Sequence, residues 1–281
     1  MGMFSFLNPF RRRDPVIGVV RLSGVIGGSA GPMRQGLTLE SQAEVIEAAF
    51  TGKRITAVAL VINSPGGSPV QSDLLQQRIR ELSRKHDKPV FAFCEDVVAS
   101  GGYWLALAAD EIYANPSSII GSIGVISSGF GLEGVIEKLG ISRRLHATGP
   151  NKGMLDPFSP EDPAHVERLK ALQDDMFERF KDWVRERRGR RLTGDEAELF
   201  SGAFWTGRKA LEFGLIDSLG EMRSVMRDRF GKDVRFRRFG RRPPLLRRLG
   251  IGRAGGDVFE DLPGALLASV EERLWWSRYG L

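Results

Sequence analysis

Two short apolar runs, each followed by a glycine-containing loop and a helical pattern, most constrain the fold of this chain. They are residues 57–62 and 89–94. Short runs without polar alternation are typical of strands buried on both faces of a sheet. The first ends in Asn-Ser-Pro-Gly-Gly at 63–67, before a helix that Pro69 can open. The second leads to Ser-Gly-Gly at 100–102 and an apolar helix. Two successive strand–loop–helix units predict a parallel sheet, so we expect an α/β fold.

The same patterns predict the remaining elements. Helices are expected at 39–50, 69–85, 103–109, 163–187, 193–200, 207–213 and 222–230, and further strands at 16–22, 111–113, 124–127, 143–146 and 234–239. A glycine-rich loop follows the first strand at 24–36. The long helix at 163–187 carries an apolar stripe of Leu169, Leu172, Met176, Phe180 and Trp183. We interpret that stripe as a packing face.

Charge divides the 281 residues into three parts. The formal net charge is +6, yet three arginines at 11–13 and eight at 235–253 alone carry eleven positive charges. Subtracting them leaves about −5 for the remainder. We therefore expect a basic arm at 1–14, a catalytic body at 15–240, and a tail at 241–281 rich in arginine, proline and glycine. Residues 262–279 of the tail are predicted to form an amphipathic helix.

The basic tails fit contact with anionic lipid, although a solvated tail explains them equally well. A nucleic-acid partner is not expected, because few aromatic residues and no binding motif accompany the arginines. The sequence holds no stretch of eighteen apolar residues, and because its N-terminal apolar part precedes the arginines we do not expect a secretory leader. The single cysteine, Cys94, allows no intramolecular disulfide. We expect a cytoplasmic protein, with peripheral contact with the inner membrane as an open alternative. No metal cluster or phosphate loop is found, so no cofactor and no metal are predicted.

Ser100 is the first candidate for chemistry, because it stands between a buried strand and an apolar helix, followed by glycines that leave room for a substrate. Taken by itself, this position favours a helix N-cap, and only the accompanying motifs make it a candidate for chemistry. A nucleophilic serine also needs a base. His86 and His165 fall at the ends of charged helices, and His146 is the one histidine worth testing.

Lys152 is the alternative base, since it lies in an otherwise uncharged loop, Gly-Pro-Asn-Lys-Gly at 149–153. A lysine can accept a proton only when burial away from carboxylates favours its neutral form. Gly66 and Gly67 end the strand that precedes the Ser100 strand, so their amides can lie beside the nucleophile and bind an oxyanion; a simple turn is the other interpretation. Ser122, in Gly-Ser-Ile-Gly-Val at 121–125, either makes a turn or orients the lysine.

These motifs, in this order, resemble the signal peptide peptidase A (protease IV) family. The resemblance is carried by Asn-Ser-Pro-Gly-Gly at 63–67, Ala-Ser-Gly-Gly-Tyr at 99–103, Gly-Ser-Ile-Gly-Val at 121–125 and a lysine followed by Pro-Phe at 157–158. Trp-Thr-Gly-Arg-Lys-Ala at 205–210 and Gly-Leu-Ile-Asp at 214–217 extend it. It covers about residues 16–220, and four ordered motifs are far more specific than any one of them.

The resemblance implies a fold similar to crotonase and the Clp protease, built of repeated β-β-α units. It implies that Ser100 attacks the scissile carbonyl, that Lys152 removes its proton, and that Ser122 hydrogen-bonds the lysine. The Gly66 or Gly67 amide would help to bind the oxyanion, and Gly101 is a further candidate donor. It also implies peptide substrates, such as remnants of signal peptides, and homo-oligomers in which neighbouring protomers complete each site. The family's usual N-terminal membrane anchor is not matched, since only residues 3–10 are apolar there.

Two other functions remain compatible with the sequence. A crotonase-like enzyme acting on acyl-CoA thioesters would share the fold and the oxyanion amides but would need neither Ser100 nor Lys152. A catalytically silent membrane-associated scaffold would be indicated by a missing dyad, and both dyad residues are present. The sequence therefore favours a serine endopeptidase.

Overall fold

The fold is described from a computed structural model, which places residues 14–28, 36–240 and 273–280. Strands come in the order β1 (Val16–Ser23), β2 (Ile55–Ser64), β3 (Val90–Ala99), β4 (Glu111–Ala114), β5 (Ile119–Gly121), β6 (Phe204–Thr206), β7 (Ser218–Leu219) and β8 (Arg235–Phe239). Helices are α1 (Leu39–Thr51), α2 (Pro69–His86), α3 (Gly101–Ala106), α4 (Glu133–Lys138), α5 (Pro163–Arg188), α6 (Glu196–Leu199), α7 (Gly207–Glu212) and α8 (Met222–Phe230).

One eight-stranded sheet organises the molecule, in the order β6-β5-β3-β2-β1-β8, and β4 pairs with the first part of β3 on one side and with β7 on the other. All described pairs are parallel except the antiparallel pair of β5 and β6. The first half of β3 pairs with β4 and its second half with β5. This is the α/β architecture that the two strand–loop–helix units predicted.

Both faces of the central strands are buried, which explains their lack of polar alternation. Even-numbered residues of β2, including Leu60 and Ile62, enter the larger core with Leu75 and Ile79 of α2. Odd-numbered residues from Ala57 to Val61 enter a second core on the opposite face, which α8 covers. Pro69 occupies the first turn of α2, as the sequence predicted, and Ser68 before it accepts a hydrogen bond from the Gln71 N–H.

The region after β5 differs from the sequence-based prediction. Strands expected at 124–127 and 143–146 do not form, while the unpredicted α4 does. Residues 126–160 are here called the arm, a segment distinct from the basic arm at 1–14. Every hydrogen bond described for these residues joins two residues of the segment itself. Without a neighbouring strand, its β-branched residues have no ladder to join. The expected packing stripe of α5 is also only half packed, since Phe180 is buried whereas Leu172 and Met176 are exposed.

The expected domain boundaries are only partly within the described residues. The body runs through β8, but the basic arm at 1–14 and the tail at 241–281 lie almost wholly outside the described part of the chain. Of the predicted amphipathic helix at 262–279, residues 273–279 are described, and 273–277 of them are helical. Among the described residues, no helix has both the length and the apolar character needed to cross a membrane.

Candidate active site

Ser100 lies where β3 turns into α3, in a strained backbone conformation with φ 52° and ψ −123°. Residues other than glycine adopt such angles only where the surrounding structure enforces them, and they concentrate at functional sites. Ser100 holds the N-cap position of α3, yet its side chain makes no capping hydrogen bond. The N-cap interpretation therefore fails to account for this serine, and its half-buried hydroxyl remains available for chemistry.

The loop after β2 packs directly against Ser100. A Cβ added to Gly66 would lie 2.8 Å from the Ser100 Cβ and 3.0 Å from the Gly101 nitrogen. A Cβ on Gly67 would lie 2.0 Å from the Ile26 carbonyl oxygen. Both glycines also have positive φ, 109° and 140°. This close approach, in a conformation that glycine tolerates best, accounts for the paired glycines at the end of β2.

The three predicted oxyanion amides differ in their hydrogen bonding. The Gly66 N–H donates to the Ser64 Oγ at 3.3 Å. In the described part of the chain, no acceptor is found for the N–H of Gly67 or of Gly101. These two amides also lie close together, because a Cβ on Gly101 would be 3.4 Å from the Gly67 nitrogen. Geometry thus favours Gly67 and Gly101 as a donor pair for an oxyanion, with Gly66 held by Ser64.

Ser122 comes beside Ser100 through strand pairing. Ala99 of β3 is in register with Gly121 of β5, and the Ser100 N–H donates to the Gly121 carbonyl at 2.8 Å. The next residue, Ser122, also has φ 52° and is held by its own N–H, which donates to the Ala203 carbonyl at 2.7 Å. The structure therefore brings together Ser100, Ser122 and the predicted glycines.

Lys152 is not brought to this cluster within one chain. It is exposed in a turn of the arm, where its backbone N–H donates to the Gly149 carbonyl at 3.2 Å. None of its described contacts is with Ser100 or Ser122. Seven large apolar side chains of the arm are also exposed, at positions where the described part of a single chain offers nothing to cover them: Ile126, Phe130, Val135, Leu139, Ile141, Leu145 and Leu155.

No histidine replaces the lysine. His86 is the last residue of α2, and its buried Nε2 has no hydrogen-bond partner among the described residues. His146 is exposed in the arm, and His165 lies 3.9 Å from the Asp162 carboxylate at the start of α5. None of the three has a described contact with Ser100.

Cys94 and the search for metal ligands add no further chemistry. Burial raises the pKa of the Cys94 thiol well above its ordinary value, so this thiol is a core group and not a nucleophile. Among the residues that the structure describes, no group of three or more His, Cys, Asp or Glu side chains is arranged to hold a metal ion.

Sequence reasoning missed an aromatic contact next to the serine. Tyr279 packs against Val97 and Ala99 of β3, and its ring meets that of Phe204 with centroids 5.1 Å apart. Sequence motifs pointed to neither aromatic residue, because the long separation of Tyr279 from Ser100 along the chain hides the contact. The only available signal was the aromatic content of the predicted amphipathic helix.

Comparison with known proteins shows similarity to a family of peptidases. The sequence model of peptidase family S49 matches residues 83–230, a span that contains Ser100, Ser122 and Lys152. A chloroplastic serine protease SPPA of Arabidopsis thaliana is 32% identical over 208 residues, which cover 73% of this chain and 30% of that protein. A Protease 4 of Haemophilus influenzae is 31% identical over 75% of this chain and 34% of its own length.

A longer relative and a solved structure complete the comparison. A protein of Brucella abortus named Na(+)/H(+) antiporter NhaA is 49% identical over the whole of this chain, which spans only 39% of that protein's length. The solved structure of a mutant of 1510-N, a membrane-bound stomatin-specific protease, superposes with a TM-score of 0.50 at 15% identity. The superposition covers 82% of this chain and 99% of the other. The likeness confirms the expected Clp-protease and crotonase type of fold.

Proposed function

The chain belongs to peptidase family S49, and from this premise we propose that it is a serine endopeptidase in which Ser100 is the nucleophile and Lys152 the general base. The observation that carries the proposal is the strained, uncapped Ser100 beside two amides that have no acceptor among the described residues. The assignment of Lys152 as the base rests on the resemblance to the signal peptide peptidase A family, because no described contact within one chain joins this lysine to Ser100.

The proposed reaction begins when the Ser100 Oγ attacks the scissile carbonyl carbon while Lys152 Nζ takes its proton. The carbonyl oxygen becomes an oxyanion that the Gly67 and Gly101 amides stabilise. The tetrahedral intermediate then expels the amine, which receives the proton from Lys152, and leaves an acyl-enzyme. Water then attacks that ester while the neutral lysine takes its proton. The bond between the acyl carbon and Ser100 Oγ breaks, the lysine returns the proton to Oγ, and the acid product leaves. Ser122 would orient the lysine between these transfers.

We place the Lys152 of one protomer in the site of its neighbour. This accounts for two features at once, namely a lysine without described contact to Ser100 and an arm with exposed apolar side chains. Exposed apolar surface of this extent is typical of an interface. A second copy would cover it and, by burying the lysine away from water, would favour its neutral form.

Substrates are proposed to be unfolded, apolar peptides, of which signal peptide remnants are the example that the resemblance implies. The arginine-rich segments and the name of the Brucella relative support work close to a membrane. Sedimentation with vesicles of phosphatidylglycerol, compared with neutral phosphatidylcholine vesicles, tests that location. Binding that is equal for both lipids, or absent from both, would contradict it.

The decisive experiment is complementation between two inactive variants. Ser100→Ala and Lys152→Ala are each expected to be silent on fluorogenic apolar peptides. When the two are coexpressed, protomers mix at random, and about one quarter of the sites combine an intact serine with an intact lysine. Recovery near that level supports a dyad between protomers, whereas no recovery places the lysine within the chain or outside catalysis.

The same panel separates the remaining functions. Full peptide cleavage by Lys152→Ala would remove the lysine from the mechanism. A wild type that cleaves no peptide but hydrolyses acyl-CoA thioesters would favour the crotonase-like alternative. A wild type that is folded and silent on both substrate classes would favour the scaffold.

A further inference from the structure

β3 changes its neighbouring strand halfway along its length. Residues 91–94 pair with β4, whereas residues 97–99 pair with β5. Glu95 and Asp96, here called the bulge, separate the two runs. The register of β3 against β2 shifts at the same place, so that three residues of β3 lie opposite the single residue Asn63. Such an irregularity is a β-bulge, and bulges next to active sites commonly re-aim a side chain.

The bulge decides where Ser100 stands. Only the part of β3 after the bulge borders β5, and this pairing ends in the hydrogen bond from the Ser100 N–H to the Gly121 carbonyl oxygen. Extra residues in one strand displace everything that follows them, relative to an unbroken ladder. Any change in the bulge therefore moves Ser100 relative to Ser122 and to the glycines that follow β2.

The Asn63 side chain holds the bulge from the opposite strand. Its Oδ1 accepts a hydrogen bond from the Val97 N–H at 3.2 Å, and its Nδ2 donates to Asp96 Oδ2 at 2.8 Å. Val97 is buried, so its amide must find an acceptor within the protein. A backbone N–H can only donate and a carboxylate can only accept, so these two partners fix which way the Asn63 carboxamide points.

Asn63 also belongs to the strand that leads to the proposed oxyanion amides. Its carbonyl oxygen accepts a hydrogen bond from the Gly24 N–H at 3.0 Å, so its main chain is held from the side of β1. Gly66 follows three residues later, and Gly67 comes directly after it. One side chain thus ties the segment that leads to the oxyanion glycines to the segment that supplies the nucleophile.

We propose that Asn63 is a positioning residue for the reaction, because its carboxamide holds the bulge in the geometry that sets Ser100 against its oxyanion amides. The effect on cleavage rests on the proposed peptidase function, whereas the hold on the bulge does not. The position requires an acceptor toward the Val97 N–H and, at the same time, a donor toward the Asp96 carboxylate. Asparagine supplies both, whereas an ionised aspartate supplies only the acceptor.

An exchange of the two side chains tests this role. In Asn63→Asp two carboxylates face each other. We expect its kcat on a fluorogenic apolar peptide to fall about 100-fold with little change in KM, since misplacing the nucleophile by about 1 Å has an effect of that size. Asn63→Asp combined with Asp96→Asn, here called the swap variant, again sets one donor against one acceptor and keeps an acceptor for the Val97 N–H.

The swap variant distinguishes positioning from a general loss of structure. It should recover at least about ten-fold of the kcat that Asn63→Asp loses, because the two substitutions compensate each other only if the side chains act as a pair. Circular dichroism shows whether each variant is folded. A folded swap variant as slow as Asn63→Asp would overturn the proposal.

Asn115→Asp is the matched control. Asn115 is exposed in the turn after β4, and its Oδ1 accepts a hydrogen bond from the Ser117 N–H at 2.9 Å. Aspartate supplies the same acceptor, so this variant adds the same charge near the same edge of the sheet without removing a described donor contact. It should keep the wild-type kcat. Equal losses in Asn115→Asp and Asn63→Asp would overturn the proposal, because added charge alone would then explain both.

Hydrogen exchange followed by mass spectrometry tests the hold on the bulge without any cleavage. The peptic fragment that spans residues 95–101 should exchange about ten-fold faster in Asn63→Asp than in the wild type, since the Asn63 contacts resist local opening. The swap variant and Asn115→Asp should exchange at the wild-type rate. An unchanged rate in a folded Asn63→Asp variant would overturn the hold.

The two measurements keep the proposals apart. If hydrogen exchange responds as expected while the wild type cleaves no peptide, the peptidase function fails and the hold on the bulge stands. If cleavage depends on Ser100 but Asn63→Asp cleaves as fast as the wild type, the positioning role fails and the peptidase stands.

Discussion

Ser100 and Gly121 are joined by a backbone hydrogen bond of 2.8 Å, from the serine N–H to the glycine carbonyl oxygen. The bond continues the pairing of β3 with β5 one residue past the end of β3. It fixes Ser100 in its unusual backbone conformation and sets Ser122, the residue after Gly121, beside it. The register of β3 against β5 thus sets the positions of both the Ser100 and the Ser122 hydroxyl groups.

The strain at Ser100 predicts an unusual order of variant stabilities. Because φ is 52° there, we expect Ser100→Gly to be more stable than Ser100→Ala by about 1 kcal/mol, the glycine relieving the strain that alanine keeps. Both should lack activity. Urea unfolding of the two variants measures the difference.

Ser224 serves as the control, because it is exposed within α8. At that position the alanine variant should be more stable to unfolding than the glycine variant by about 1 kcal/mol, which is the ordinary order within a helix. An alanine variant more stable than the glycine variant at position 100 would show that the surrounding structure does not enforce the strain.

Gly66→Ala is expected to abolish most peptide cleavage. The new methyl group would meet the Ser100 Cβ and the Gly101 nitrogen, so the nucleophile and a proposed oxyanion donor must both move. Loss of one oxyanion donor costs about 100-fold to 1,000-fold in kcat. The measurement is kcat on a fluorogenic peptide, with circular dichroism to confirm folding.

Gly24→Ala is the matched control for that variant. Gly24 has a similar φ of 110°, but no atom of the described residues lies within 4 Å of the position of its added Cβ. It should share the backbone cost and retain activity. Equal losses for both variants would mean that backbone strain, and not contact with Ser100, explains the effect.

The exposed side chains of the arm predict self-association. Replacing Phe130 and Leu139, which are 81% and 66% exposed, with serine should shift the oligomer to smaller species. Burial of each side chain at an interface is worth about 2 kcal/mol. Light scattering after gel filtration gives the mass. Val70→Ser, an exposed apolar position on α2, should have no effect, and a monomeric wild type would contradict the interface.

Asp217 joins α5 to the end of the sheet, and its removal should destabilise the fold. Its carboxylate accepts from Arg188, of which 2% of the side chain is exposed, and from Arg191. Asp217→Asn leaves the buried Arg188 guanidinium without the negative charge that pairs with it, at a cost of about 3 kcal/mol in the free energy of unfolding. Asp182→Asn, which removes an exposed partner of Arg185 on the same helix, should cost less than about 1 kcal/mol in the same urea unfolding measurement.

The same carboxylate predicts a dependence of stability on pH. Burial would raise the pKa of Asp217, but hydrogen bonds and charge from Arg188, the Ile112 N–H and Arg191 outweigh it, and the pKa is lowered. Its contribution is therefore complete above the ordinary aspartate pKa of about 3.9 and is lost as the pH falls through the lower folded value. A stability of Asp217→Asn that falls as steeply as the wild type below pH 4 would contradict this assignment.

Local sequence patterns located the central strands of this protein, and the ordered motifs identified its candidate nucleophile. Apolar runs without alternation located β2 and β3, since burial on both faces leaves a mark within a short window of residues. Ser100 and the glycines around it were found for the same reason, because a strand, a tight turn and a helix follow one another within a few residues.

Tertiary structure alone decided which groups meet. The register of β3 and β5 set Ser122 beside Ser100, the Ser64 hydroxyl engaged the Gly66 amide, and Tyr279 reached the site from the far end of the chain. Strands were wrongly predicted at 124–127 and 143–146. They do not form, because the apolar residues of the arm have no partner strand within the described part of the chain. Periodicity reports whether a side chain is buried, whereas contact depends on packing between distant segments, which no local pattern encodes.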